Sequence, residues 1–102
     1  MQKQLQTIVL RGVKSYIAEI SEADRGRIYR NIEALALGNL EGLRTKQLRG
    51  PIHELIRGNH RLTYFKLNDR LYLVRGFRKK SAKTPKQEIE YAEDILMRIR
   101  ES

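Results

Sequence analysis

Five charged residues between positions 54 and 80 have the types that phosphodiester chemistry uses. They comprise one carboxylate and four cations: Glu54, Arg61, Arg78, Lys79 and Lys80. A carboxylate can accept a proton, whereas guanidinium and ammonium groups stabilise negative charge that develops on phosphate oxygens. The set is sufficient for one reaction class, cleavage of RNA through its own 2′-hydroxyl, since the RNA then supplies the nucleophile and the protein needs no cofactor.

This hypothesis assigns a role to each residue. Glu54, or a histidine, accepts the proton of the 2′-hydroxyl. Arg61 and Arg78 stabilise the phosphorane, and Lys79 or Lys80 donates a proton to the leaving 5′-oxygen. The alternative interpretation is that Glu54 and Arg61 form a cross-strand ion pair on a solvated face, and that the three consecutive cations form a solvated loop.

The overall charge favours a polyanionic partner. The 102 residues include 21 Lys and Arg against 12 Asp and Glu, which gives a formal net charge of +9. Binding to phosphates releases counterions, and a cationic field speeds the encounter, so nucleic acid or the ribosome is the expected partner. A charge that only keeps the protein in solution, or an acidic protein partner, are the alternatives.

Composition also excludes several classes of site. The chain has no cysteine and only two histidines, His53 and His60, so we expect no disulfide, no metal and no cofactor. No segment is long and apolar enough to predict a membrane span or a signal peptide. We therefore expect one soluble, cytoplasmic domain over residues 1–102.

Three apolar-rich runs predict an antiparallel meander that delivers the cations. The runs are Ile52–Arg57, His60–Leu67 and Leu71–Phe77. They are separated by Gly58-Asn59 and Asn68-Asp69, whose residues tolerate positive φ angles. The cationic residues that follow the third run therefore lie at one end of a small sheet.

The first turn also predicts a strand register. If it holds two residues, Arg57 pairs with His60, and Glu54 and Arg61 share one face, which we expect to be free to meet a ligand. The opposite face is then the core, covered by a helical hairpin, and contains Leu55, Leu62 and Tyr64. For the third run, the pattern leaves open which residues face the core.

The remaining segments predict helices and one further strand. A strand over Gln4–Leu10 joins the meander, and a helical hairpin follows, whose second helix starts at Ser21 and ends at Gly38-Asn39. The segment Leu40–Pro51 predicts no regular structure beyond a turn.

The last helix begins at Pro85, with Thr84 as its N-cap. The predicted fold is α+β in the order β-α-α-β-β-β-α, with an antiparallel sheet of about four strands, the helical hairpin on one face and a C-terminal helix.

Two segments of the sequence resemble the RelE/ParE toxin superfamily, specifically its HigB-like, phage-derived branch. They read HELIRGNHRLTYF and LYLVRGFRKKSAKTPKQEIEYA, of which KKSAKTP is the most specific part. The helical segment SEADRGRIYRNIEAL is also similar, so the likeness covers about Gly12 to Arg98.

The resemblance implies a compact toxin of a type II toxin–antitoxin pair. Such a toxin enters the A site of the 70S ribosome and cleaves mRNA, and a cognate antitoxin, in this branch a helix-turn-helix protein of the HigA type, neutralises it. Basic and polar residues of the sheet and the following loop are expected to act, here Arg61, Arg78, Lys79, Lys80 and Glu54. Residues expected to bind RNA are Arg49, Arg57, His60, Arg75 and Lys83.

The chain departs from the family pattern at two positions. Ile56 stands where the family commonly has arginine, and Arg57 points to the opposite side if the strand is regular. His60 replaces a tyrosine. Alternatives to the ribonuclease are an inhibitor that occupies the ribosome without cleavage, a ParE-like poison of DNA gyrase, and an inactive phage-derived remnant.

Overall fold

The sheet and helices follow the expected α+β plan. The computed structural model describes residues 4–102, so the first three residues of the predicted domain lie outside the described part. The elements in chain order are β1 (Gln6–Val9), α1 (Arg11–Ala18), α2 (Glu22–Leu37), β2 (Arg44–Arg49), β3 (Ile52–Arg57), β4 (His60–Leu67), β5 (Arg70–Arg78) and α3 (Lys86–Glu101). The strands form one sheet in the order β1-β5-β4-β3-β2. The α+β class is confirmed.

The sheet differs from the expectation in two details. It has five strands among the described residues, and β1 runs parallel to β5, with Gln6 opposite Arg70 and Val9 opposite Leu73. A parallel pair needs a long crossover connection, which the chain between these two strands supplies. The sheet is therefore mixed, with one parallel edge, rather than antiparallel throughout.

The additional strand, β2, lies in the segment for which no regular structure was expected. Most of its residues are exposed, so the sequence RTKQLR shows no apolar alternation. It is a strand because it pairs with β3, where Arg44 lies opposite Ile56 and Lys46 opposite Glu54. Cross-strand partners share a face, so these two cations lie on the same face as Glu54.

The predicted register of β3 and β4 is confirmed. Arg57 pairs with His60 and Glu54 with Thr63, and Gly58 has a φ of 57° in the turn. The helical hairpin covers the predicted core face, where its buried residues pack with Leu55, Leu62 and Tyr64.

The opposite face had been expected to be free to meet a ligand, but part of it is covered. Helix α3 packs across part of it and forms a second apolar cluster, of Ile52, Phe65, Tyr72, Val74, Ala92 and Leu96. The part near Glu54 and Arg61 remains accessible as a pocket. The site therefore lies beside a helix rather than on an open sheet.

A β-bulge determines which residues of β5 face the core. Thr63 pairs with Arg75 and Tyr64 with Leu73, so Val74 is one residue more than β4 can pair. Before the bulge, Leu73 faces the helical hairpin; after it, Gly76 does. Neither of the two regular alternations considered from the sequence is therefore correct over the whole strand.

Local interactions determine where the helices begin and end. The Ser21 side chain accepts a hydrogen bond from the Asp24 amide, and Gly38 closes α2 with a φ of 77°. Arg25 donates to three carbonyl groups around the end of α1, which joins the two helices. Helix α3 begins within one residue of the expected position, but its N-cap is Pro85, and the Thr84 hydroxyl binds elsewhere.

Candidate active site

A pocket of about 220 Å³ opens beside the start of α3, at the end of the sheet where β3 ends. We call it the Glu54 pocket, because Glu54 is the one carboxylate among its lining residues. Six cations line it with Glu54, from β2, β4 and the loop after β5: Arg44, Lys46, Arg61, Lys79, Lys80 and Lys83. Their combined charge makes the pocket suitable for a phosphate group.

Glu54 is buried, with 4% of its surface exposed, and its two oxygens have different partners. The Thr84 hydroxyl donates to Oε2 at 2.6 Å. Oε1 lies 4.0 Å from Nε of Arg61. A buried carboxylate needs such partners, because an unpaired charge is costly away from water. The neutral donor holds one oxygen and leaves Oε1 beside the guanidinium group.

Arg61 is held by the β3–β4 turn as well as by Glu54. It is 8% exposed, and its Nη1 donates to the carbonyl oxygens of Gly58 at 2.8 Å and His60 at 3.0 Å. These bonds fix the direction of the planar guanidinium group, whose remaining N–H groups can face a phosphate.

The lysines stand on the loop between β5 and α3. Lys79, Lys80 and Lys83 are exposed and line the Glu54 pocket. The Lys79 amide donates to the Asn59 carbonyl at 2.7 Å, so the start of the loop is tied to the β3–β4 turn. Each ammonium group ends a flexible four-carbon side chain at the edge of the pocket, whereas hydrogen bonds hold the guanidinium group of Arg61.

The pocket also contains residues that were not predicted for the site, among them Arg44, Lys46 and Thr84. Arg44 and Lys46 were placed in an irregular connection, and Thr84 was assigned to helix capping. The spacing of Arg44 and Lys46 at positions two apart was a signal, since it places both on one face of any strand. For Thr84 the helix-start pattern was a competing and plausible interpretation.

Other predicted residues do not join the Glu54 pocket. Arg57, His60 and Arg78 lie on the other side of the sheet, around a second depression. Arg75 pairs with Glu88 of α3 at 3.2 Å and lies over the Tyr91 ring.

Arg49 also pairs with a side chain of α3. Its Nη1 lies 3.5 Å from Oε1 of Glu93. Of the residues predicted to bind RNA, the structure therefore brings only Lys83 into this pocket.

His60 links the helical hairpin to the sheet. Its Nε2 donates to Asp24 at 3.1 Å, since a carboxylate only accepts, and its Nδ1 then accepts from the Tyr16 hydroxyl at 2.6 Å in the neutral ring. The bond from His60 lowers the pKa of Asp24, whereas burial raises the pKa of Tyr16. Both ring nitrogens are thus occupied within the protein.

Metal sites and membrane-spanning helices are absent from the described part of the chain. Within residues 4–102, no group of three or more His, Asp or Glu side chains is arranged to hold a metal ion. None of the helices in that range is long and apolar enough to cross a membrane.

A buried carboxylate among cations has the groups that proton transfer at a phosphodiester requires. The family model described as phage-derived protein Gp49-like (DUF891) matches residues 15–97. No curated protein matches the chain. The predicted resemblance is confirmed at the level of RelE-like toxins, while the HigB-like branch stays a prediction. The chain belongs to the phage-derived Gp49-like family, a family of RelE-like toxins.

Proposed function

We propose that this protein is the toxin of a type II toxin–antitoxin pair and a metal-independent endoribonuclease of the HigB type, which cleaves mRNA in the ribosomal A site. The observation that supports this most directly is the Glu54 carboxylate, buried at a pocket whose other charged residues are all cations. Such a pocket offers one proton acceptor and several groups that favour phosphate.

The first step is removal of the proton from the 2′-hydroxyl of the RNA. Glu54 Oε1 accepts this proton, because Oε2 is occupied by the Thr84 hydroxyl. The 2′-oxygen then forms a bond to the adjacent phosphorus. Arg61, next to Oε1, stabilises the negative charge that develops on the phosphorane oxygens.

The second step is departure of the 5′-oxygen. Lys79 or Lys80, at the edge of the pocket, donates a proton as the bond from phosphorus to the 5′-oxygen breaks. The products are an RNA ending in a 2′,3′-cyclic phosphate and an RNA beginning with a 5′-hydroxyl. Protons balance, because one passes to Glu54 and one leaves the lysine.

Ile56 stands where the family commonly has arginine, and this difference is compatible with the proposed function. Arg44 lies opposite Ile56 on the neighbouring strand and lines the same pocket. It provides a cation close to the position where the family commonly has arginine. Lys46, opposite Glu54, adds a second cation on the same edge strand.

A cognate antitoxin follows from the same proposal. We expect a helix-turn-helix protein of the HigA type, encoded beside this chain. The net charge of +9 suits an acidic surface on that partner as well as RNA.

Primer extension on a message translated in a purified system tests the function. We expect cuts with wild-type protein only when ribosomes are present. Arg61→Ala, and the double substitution Lys79→Ala/Lys80→Ala, should lose the cuts and relieve growth inhibition. Arg30→Ala, an exposed cation of α2, is the control and should retain both.

Three results would overturn the proposal. Intact RNA with DNA breaks identifies a gyrase poison, and intact RNA with blocked translation identifies an inhibitor that only occupies the ribosome. A folded protein without either effect is an inactive remnant. Because Arg61 is buried, circular dichroism of each variant accompanies the assay, and the exposed lysine pair provides the result if Arg61→Ala unfolds.

A further inference from the structure

A second cationic depression lies on the other side of the β3–β4 turn from the Glu54 pocket. It has a volume of about 250 Å³, and we call it the Arg78 pocket. Three arginines line it from three different elements, α2, β3 and β5: Arg27, Arg57 and Arg78. The turn residues Gly58 and Asn59 complete its wall, together with Asp24 and His60.

The charges of the Arg78 pocket are not balanced within the protein. Asp24 is the one carboxylate among its lining residues, and it already accepts from His60 and lies 3.6 Å from Nη1 of Arg27. Within residues 4–102, neither Arg57 nor Arg78 forms an ion pair. Two guanidinium groups are therefore available to an anion from outside.

The walls of this pocket are held in place by hydrogen bonds. Tyr16, His60 and Asp24 connect α1, β4 and the first turn of α2. The bond from the Lys79 amide to the Asn59 carbonyl closes the turn against the end of β5. A pocket whose walls are already held in place costs less free energy to organise around a ligand than a flexible one.

The two pockets are adjacent along the end of the sheet. Arg78 is the last residue of β5 and lines one pocket, and Lys79, the first residue of the following loop, lines the other. The β3–β4 turn separates the two depressions. A polynucleotide that crosses this turn would present successive phosphates to both sides.

We propose that the Arg78 pocket is a second phosphate site, which binds a phosphate of the RNA strand that lies in the Glu54 pocket. The proposal rests on the proposed function for the identity of the strand. It assigns Arg57 and Arg78 to holding RNA away from the reacting phosphate, so Arg78 acts in binding rather than in the chemical step.

The test compares two RNAs that cannot be cleaved because every 2′-hydroxyl is methylated. A dinucleotide without terminal phosphates has a single phosphate and can fill only one pocket at a time, whereas a ten-nucleotide strand can reach both. Each RNA is titrated into protein labelled with ¹⁵N, and NMR spectra give the dissociation constant. The same spectra show whether the Nε–Hε signals of Arg57 and Arg78 respond to the RNA. The double variant Arg57→Gln/Arg78→Gln is compared with Arg30→Gln/Arg100→Gln, which removes the same charge from exposed positions elsewhere.

We expect the Arg57/Arg78 variant to bind the long RNA about tenfold more weakly and the dinucleotide as the wild type does. The slope of log affinity against log salt for the long RNA should become shallower by about 0.7 for each phosphate that the variant no longer neutralises. The control variant should lose less affinity and should lose it for both RNAs. None of these side chains is buried, and a thermal melt confirms that each variant is folded.

Equal losses of affinity for the long RNA in the two double variants would overturn the second site, because the loss would then come from the lower overall charge. Signals of Arg57 and Arg78 that respond to an acidic peptide but not to the long RNA would also overturn it, in favour of a protein partner. Since cleavage is not measured, a wild type that binds as expected but fails to cut RNA on ribosomes contradicts only the proposed function.

Discussion

Glu54 shows how one side chain obtains its properties from residues far away in sequence. Its two oxygens are distinguished by a hydroxyl group on one side and a guanidinium group on the other. Thr84, 30 residues later, provides the hydroxyl group. A carboxylate held in this way keeps one orientation, which a proton acceptor needs.

Glu54→Gln should remove activity without removing the fold. The amide oxygen can still accept from Thr84, while the group can no longer take up a proton at neutral pH. We expect the rate of ribosome-dependent cleavage to fall by about 10²- to 10⁴-fold. The measurement is a time course of cleavage at saturating protein.

Glu90→Gln, on the exposed side of α3, is the matched control for this change and should cleave as the wild type does. A Glu54→Gln protein that cleaves within about twofold of the control would remove Glu54 from the mechanism.

Thr84→Val should weaken both stability and activity, because it replaces the hydroxyl with a methyl group of similar size. The loss of a hydrogen bond to a buried carboxylate costs about 1–3 kcal/mol. Urea unfolding measures this cost. Thr84→Ser restores the donor and should return most of the stability and the cleavage rate.

A valine variant as stable as the wild type would contradict this account. So would a serine variant that recovers stability but not cleavage, since Thr84 would then do more than position Glu54.

Some of these residue positions followed from the sequence and others did not. The two-residue turn at Gly58-Asn59 placed Glu54 and Arg61 on one face and Arg57 on the other, as the structure shows. The side on which Arg78 lies was not predictable, because the bulge at Val74 shifts every later residue of β5 to the opposite face.

Strand β5 connects the helical hairpin to the site. Its glycine at position 76 leaves space for the Tyr16 ring of α1, since a Cβ added there would lie 2.7 Å from the ring. Tyr16 in turn donates to His60 of β4. The bulge and the glycine together determine how closely α1 approaches the sheet.

Gly76→Ala should therefore destabilise the protein by about 1–3 kcal/mol, as expected for overpacking. In the background of Tyr16→Ala, where the ring is absent, the same change should cost much less. Chemical unfolding of the four proteins in this double-mutant cycle measures the difference.

Gly26→Ala is the control for the glycine substitution, because a Cβ at that helical position meets only the end of Arg30, at 3.6 Å. It should be neutral or stabilising by up to about 1 kcal/mol. Additive costs of Gly76→Ala and Tyr16→Ala would show that the ring is not what the glycine accommodates.

The sequence predicts the helices and strands that carry local signals of their own, such as capping residues and turn residues. Ser21 and Gly38 delimit α2 by their capping chemistry, and the two apolar runs around Gly58-Asn59 predict β3 and β4. By contrast, β2 has hardly any buried residues and is a strand only because β3 pairs with it. Tertiary pairing of this kind leaves little trace in one sequence.

At the scale of the whole molecule, the hydrogen bonds of His60 connect α1 and α2 to β4 near the Arg78 pocket. Asp24 accepts from His60, which lowers the pKa of Asp24 below its ordinary value of 3.8. A carboxyl group whose pKa is lower in the folded than in the unfolded state stabilises the fold at pH values above the unfolded pKa. This contribution is lost as the pH falls through the folded pKa.

Asp24→Asn should accordingly make stability less dependent on pH in the acid range. We expect its free energy of unfolding to be below that of the wild type near neutral pH and to approach the wild-type value as the pH falls through the lowered pKa of Asp24. Thermal melts over this range measure both proteins. Asp94→Asn, in an exposed pair with Arg98, is the control, and an identical pH profile for all three proteins would contradict the role of Asp24.

The long separation between Glu54 and Thr84 has a consequence for biosynthesis. During translation the carboxylate emerges well before its hydroxyl partner, and the lysine-bearing loop emerges between them. The nascent chain thus cannot assemble the finished pocket until residue 84 has been made. The proposed site is therefore incomplete while β3, β4 and β5 are being made, and any activity that depends on Glu54 can begin only after the chain has grown past Thr84.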